Sequence, residues 1–205
     1  MSTSRLEAFS DGVLAIIITI MVLELSIPEE HTIAALIDAT GLGLLSYILS
    51  FIYIGIYWNN HHHMFQLTEH ISGAVLWANL HLLFWLSLIP FSTAWMDDGS
   101  FAKTPVMTYG VNLLCAAIAY FILQGTIIRH QGQRSVLKDA IGTDTKGRIS
   151  PVFYLLGILA AALFGESTAG VVIAVGFYVV VAILWLIPDQ RIEHVIAARA
   201  QAGDD

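Results

Sequence analysis

The amino-acid sequence predicts an all-α integral membrane protein with six transmembrane helices. Three observations carry this. Hydrophobic residues make up 57% of the chain and charged residues 12%, about half the charged share of a soluble domain. The apolar residues gather into six runs, most of them near the roughly 20 residues that a helix needs to cross a bilayer. Once those runs are taken as crossings, Lys and Arg fall almost entirely on one side.

Polar residues punctuate the runs. The first spans about 8–27 and is closed by Pro28, Glu29 and Glu30. The second, about 41–63, opens after Asp38 and ends in the polar stretch Asn59 to His63. The third covers about 74–95 and stops at Asp97, Asp98 and Gly99; the fourth covers about 105–128. A polar loop, Arg129 to Arg148, leads to the fifth, about 150–165, with Pro151 expected in the first turn, where proline is tolerated. That run is short for a full crossing, which suits either a thinned part of the bilayer or a tight hairpin with the sixth, about 168–188, through Gly165, Glu166 and Ser167. The tail from Asp189 to Asp205 is polar. The first run is too long for a leader's apolar core and follows Glu7 and Asp11, so it reads as a span rather than a cleaved signal. No repeat, low-complexity tract or soluble module interrupts the pattern, and residues 1–205 read as a single six-span membrane domain.

An even number of spans puts both termini on one side. That side holds Arg5, Arg129, Arg134, Lys138, Lys146, Arg148, Arg191 and Arg199, against Lys103 alone on the other. The imbalance predicts cytoplasmic N- and C-termini in the plasma membrane. The outer loops carry Glu29, Glu30, Asp38, Asp97, Asp98 and Glu166 instead. Such a face concentrates cations; singly, each acid is equally an ordinary solvated loop residue. Tyr53, Tyr57, Trp58, Trp77, Trp85, Trp95 and Trp185 flank apolar runs and are expected as interfacial anchors. Gly41, Gly43, Gly73, Gly110, Gly170 and Gly176 would allow close helix approach. Cys115 is the single cysteine and lies in an apolar run, which leaves no disulfide framework or cysteine metal site.

The most informative stretch is Arg5 to Ile27, RLEAFSDGVLAIIITIMVLELSI. It runs a charged motif straight into an uncharged helix. Charges at the lip of a spanning helix are costly unless paired or facing water. Arg5 and Asp11 are six residues apart, off the rows that meet on one helix, so each needs partners elsewhere. Beyond the motif, Ile16, Ile20 and Leu23 share a face, extended by Phe9 and Ile27 and flanked by Gly12 and Thr19. From the residues alone this stripe reads first as a lipid-facing or helix-packing surface, and Thr19 as a hydroxyl bonded back to a carbonyl one turn earlier.

R-x-x-x-F-S-D-G, as Arg5, Phe9, Ser10, Asp11 and Gly12, followed by AIIITIMVLEL, resembles the first helix of the transmembrane protein 175 family, the endosomal and lysosomal potassium channels and their bacterial relatives. GIYWNNHHHMF, Gly55 to Phe65, and LWANLHLLFWLSLIPFSTAWM, Leu76 to Met96, resemble it too. Together these blocks cover the first half of the chain. The resemblance implies a pore lined by the first helix, with Ile16, Ile20 and Leu23 as its aliphatic constriction and Thr19 and Gly12 beside it. It implies that Arg5, Phe9, Ser10 and Asp11 anchor that helix to partners among Trp58, Asn59, His61, His62, Asn79 and His81. One such helix cannot enclose a pore, so copies must assemble, and a homotetramer is expected. The implied function is a potassium-permeable cation channel in the lipid bilayer, with K+ as cargo and no cofactor. No carbonyl filter sequence such as TVGYG is present, so selectivity would arise differently.

Rival readings rest on the histidines. Consecutive residues of a helix point about 100° apart, so His61, His62 and His63 cannot converge on one ion. A haem or metal between His62 and His81 would lack an evident further ligand. A proton-permeable channel or proton-coupled transporter using Asp11 and the histidines is the other alternative, although no inverted repeat or broken helix is evident. Nothing resembles a nucleophile with its base, a phosphate loop or a nucleic-acid patch, so an enzyme is not expected.

Overall fold

A computed structural model describes residues 3–68, 70–132, 135–142 and 144–186. The described chain is all helical: α1 Thr3–Leu23, α2 Ile33–Gln66, α3 Gly73–Ser87, α4 Ile89–Asp98, α5 Lys103–Gln131, α6 Val136–Ile141, α7 Thr145–Phe164 and α8 Thr168–Leu186. With α3 and α4 taken as the one interrupted stretch Gly73–Asp98, six segments are long and apolar enough to cross a membrane. The tail, with Arg191 and Arg199, and the loop residue Arg134 lie outside the described residues.

Local chemistry sets limits that differ from those of the apolar runs. α1 starts at Thr3, so the whole charged motif is helical, and it stops at Leu23, where Glu24 and Leu25 turn back to the Met21 and Val22 carbonyls. Ile27 therefore lies beyond the helix and does not continue its stripe. α2 begins well before the expected span because Thr32 caps it, its hydroxyl accepting from the Ala35 N–H. Its 34 residues exceed a bilayer crossing, at about 1.5 Å per residue. α7 is a full crossing of 20 residues, not a short one. Asp144 caps it by accepting from the Gly147 N–H at 2.8 Å, and a side chain at Gly147 would strike that carboxylate and Phe121. Pro151 consequently sits inside the helix, not in its first turn. The loop before α7 holds the short helix α6, capped by Ser135.

The third span is broken, contrary to the sequence reading. Leu88 is the break, and the cause is Pro90. Its ring nitrogen has no proton for the Leu86 carbonyl and its ring crowds that carbonyl.

α5 runs through the middle of the bundle, packed against α3, α4, α7 and α8, while α1 packs on α2, α3 and α4. Within a bilayer the close fit of small and large groups holds helices together, since lipid is as apolar as leucine. Tyr178 of α8 illustrates this: its ring fills the space that a side chain would occupy at both Gly110 of α5 and Gly157 of α7. Its hydroxyl donates to the Val106 carbonyl at 3.3 Å. Tyr53, Tyr57, Tyr109, Tyr120 and Tyr154 join it in the core, so Tyr53 and Tyr57 are not the interfacial anchors expected of them. Tyr53 instead donates to the Tyr178 carbonyl at 2.6 Å. Trp58, Trp77 and Trp95 do stand at the surface.

Candidate functional site

α1 has two faces. Leu6, Ser10, Leu14, Ile17 and Met21, spaced by four, four, three and four, are buried against the rest of the chain. Phe9, Ile16, Ile20 and Leu23 lie centred about 110° away round the helix, at 100° per residue. Ile16 is 58% exposed, Ile20 43% and Leu23 79%. The aliphatic stripe thus points away from its own bundle, while Ile18 lies between the faces and packs partly on the core. Gly12 and Thr19 are exposed on the same side. The Thr19 hydroxyl donates to the Ile16 carbonyl at 2.9 Å, three residues back.

The inward face is locked by a chain of hydrogen bonds whose direction can be assigned. The Ser10 hydroxyl donates to the Leu6 carbonyl at 2.9 Å. It therefore accepts from Asn79 Nδ2, 3.0 Å away on α3. Asn79 Oδ1 then accepts from His61 Nε2 on α2 at 2.8 Å, which fixes His61 as its Nε2–H tautomer. All three side chains are buried, and His61 Nδ1 has no hydrogen-bond partner. One chain so joins three helices across the start of α1.

A second set closes the rim of the same contact. Trp58 Nε1 donates to Asp11 Oδ1 at 3.1 Å, and the Trp58 ring stacks on His62 at 6.3 Å and 17°. Gln66 Nε2 donates to His62 Nε2 at 2.7 Å, so His62 presents Nδ1–H to Glu7 at 2.6 Å. Thr3 donates to the Thr68 carbonyl at 3.2 Å, tying the first turn of α1 to the end of α2.

Of the expected motif partners, Trp58, His61 and Asn79 meet Asp11 or Ser10, directly or through one another. His62 meets Glu7, one turn from Asp11 and not among the expected anchoring residues. His81 is turned elsewhere and accepts from Trp85 of its own helix at 3.0 Å. No hydrogen bond is found for Asn59 among the described residues, nor for Arg5, which is exposed. The three histidines diverge as their spacing requires, and the described residues contain no cluster of three metal-ligating side chains. At the opposite end of α1, Glu24 faces Asp97 and Asp98 across an open hollow that also includes Ser26 and Trp95. Glu24 sits within an apolar run, which hid it among hydrophobic neighbours.

Comparison with known proteins gives a consistent picture. Residues 5–90 match the model of the family described as the endosomal/lysosomal potassium channel TMEM175. A potassium channel of a Chryseobacterium species is 55% identical over 193 residues, covering 94% of this chain and 97% of that protein. The crystal structure of a lysosomal potassium-selective channel TMEM175 homologue from Chamaesiphon minutus superposes with a TM-score of 0.75 at 30% identity, over 91% of this chain and 97% of that one. The human endosomal/lysosomal proton channel TMEM175 is 27% identical over 150 residues, which are 65% of this chain and 29% of the human protein.

Proposed function

The chain belongs to the family of the endosomal/lysosomal potassium channel TMEM175, and from that premise we propose a potassium-permeable cation channel whose pore is lined by α1. The observation that carries this is the division of α1. Its motif side is fastened to α2 and α3, and its aliphatic side is left uncovered by its own subunit. One uncovered helix cannot enclose a path, so four copies assemble about an axis beside α1. Ile16, Ile20 and Leu23 then form stacked apolar collars, with Gly12 and Thr19 adjoining them. Ser10 and Asp11 position the helix, Phe9 heads the uncovered stripe, and Arg5, exposed and without a hydrogen bond among the described residues, faces the neighbouring subunit.

The collars act by hydration. A cation passing them finds no fixed oxygen cage and must keep its water or lose part of it. Potassium holds water less tightly than sodium, so a narrow apolar ring favours potassium modestly. The termini face the cytoplasm of a bacterial-type plasma membrane, as the Lys and Arg distribution argues. The acidic groups at the other end, Glu24, Asp97 and Asp98, raise the local cation concentration.

Proton permeation is the second reading, motivated by the name of the human relative. Flux into liposomes under potassium, sodium, caesium and pH gradients separates the two. Potassium-dominated flux supports the channel proposed here, proton-dominated flux replaces it with the second reading, and an absence of flux in assembled protein overturns both.

A further inference from the structure

Pro90 opens the third span in mid-membrane, where an unpaired backbone group has no water to turn to. In an unbroken helix the Ile89 N–H would bond the Trp85 carbonyl. Asn112 of α5 stands between them. With its amide oriented so that donors meet acceptors, Nδ2 donates to the Trp85 carbonyl at 3.0 Å and Oδ1 accepts from the Ile89 N–H at 3.2 Å, with the Ser92 hydroxyl also at 3.2 Å. The Trp85 carbonyl keeps a backbone bond from the Leu88 N–H at 3.3 Å, and the carboxamide adds the link from it to the Ile89 N–H that the break removes. Asn112 is buried in a spanning helix, a position that costs stability unless its amide is paired.

The two halves that meet at this clip hold different ends of α1. α3 carries Asn79, which grips Ser10. α4 supplies Pro90, Thr93, Ala94 and Asp97 to a small cavity whose other wall includes Met21, Glu24 and Leu25 of α1 and its following turn. α4 is also tied sideways. Thr93 donates to the Ile89 carbonyl at 2.7 Å, so it accepts from Ser50 of α2 at 2.7 Å, which in turn accepts from Tyr109 of α5 at 3.0 Å. Between the two grips lie Ile16 and Ile20.

We propose that Asn112 is a positioning residue for the pore helix: by bridging the Pro90 break it fixes the bend between α3 and α4, and that bend sets the outer half of α1 relative to the inner half. The proposal rests on the channel reading given above. It concerns a residue that touches neither the pore face nor the motif.

The test is a double-mutant cycle of Asn112→Leu and Pro90→Ala, read as potassium flux per assembled tetramer together with the thermal unfolding midpoint. Asn112→Leu alone is expected to lower flux per tetramer by about three- to tenfold, the range of one buried hydrogen bond in a membrane protein. Pro90→Ala lets the helix close and supply the Ile89–Trp85 bond itself, so Asn112→Leu in that background should change flux and midpoint little. Equal loss in both backgrounds overturns the proposal. So does a lowered midpoint with unchanged flux, which would make Asn112 structural only. If Asn112→Leu alone fails to assemble, the double variant should regain assembly and the flux of Pro90→Ala; its failure to do so overturns the proposal too. A parent protein without flux would instead overturn the channel reading, so the two failures are distinct.

Discussion

Ser10, Asn79 and His61 form the contact on which the placement of α1 most depends. Each is buried, and each satisfies the next. Asn79→Leu is expected to strand His61 Nε2–H and destabilise the protein by about 1–3 kcal/mol. Thermal unfolding of the assembled protein in detergent checks this, and an unchanged midpoint would contradict it. The residue types were legible in the sequence, but their register was not. Three consecutive histidines offer three directions, and only packing selects His61 for α3 and His62 for Glu7. His81 was a reasonable candidate by depth, yet its helix face turns it to Trp85. Arg5 is more telling still. Because it is exposed and meets no partner among the described residues, Arg5→Ala is expected to spare the subunit's helical content and weaken the tetramer. Circular dichroism and light scattering measure the two separately, and loss of helix with a retained tetramer would refute the assignment.

At the level of elements, hydropathy found six crossings because each run is uniformly apolar, and it misplaced their ends because ends are set by caps. Thr32, Asp144 and Ser72 each accept a backbone N–H of the first turn, chemistry invisible to a running average of hydrophobicity. The break at Leu88 was missed for the same reason. Pro90 lies in an unbroken apolar run, and the proline signal was outweighed by the hydrophobic one. The tyrosine core was missed because polar-tipped rings near run ends suggest interfaces, whereas the length of α2 carries Tyr53 and Tyr57 into the middle of the packing. The glycine reading fares unevenly. Gly110 cradles Tyr178, together with Gly157, which was not among the expected glycines, and Gly170 lies against the Phe164 backbone, while Gly73 and Gly176 face open space. Gly157→Val should therefore cost about 1–3 kcal/mol through overpacking, and Gly176→Ala almost nothing. Comparing their unfolding midpoints checks the contrast; equal midpoints would contradict it.

For the whole molecule, the central claim is that the outward stripe of α1 becomes the wall of a shared pore. Outward exposure alone suits lipid equally well, which is why the residues left the stripe's role open until the family was in view. What the geometry adds is that the Leu6–Met21 face is committed to α2, α3 and α4, while the stripe is left uncovered by its own subunit. Ile18 supplies an internal control, lying off the stripe and partly packed on the core. The most direct measurement is the reversal potential under bi-ionic potassium and sodium, recorded from reconstituted Ile20→Asn and Ile18→Asn. A polar group at Ile20 should wet the collar, raise conductance and weaken the preference for potassium, while Ile18→Asn leaves the reversal potential at the parent value. The opposite pattern, with Ile18→Asn shifting both quantities and Ile20→Asn neither, would show that this face of α1 does not line the pore.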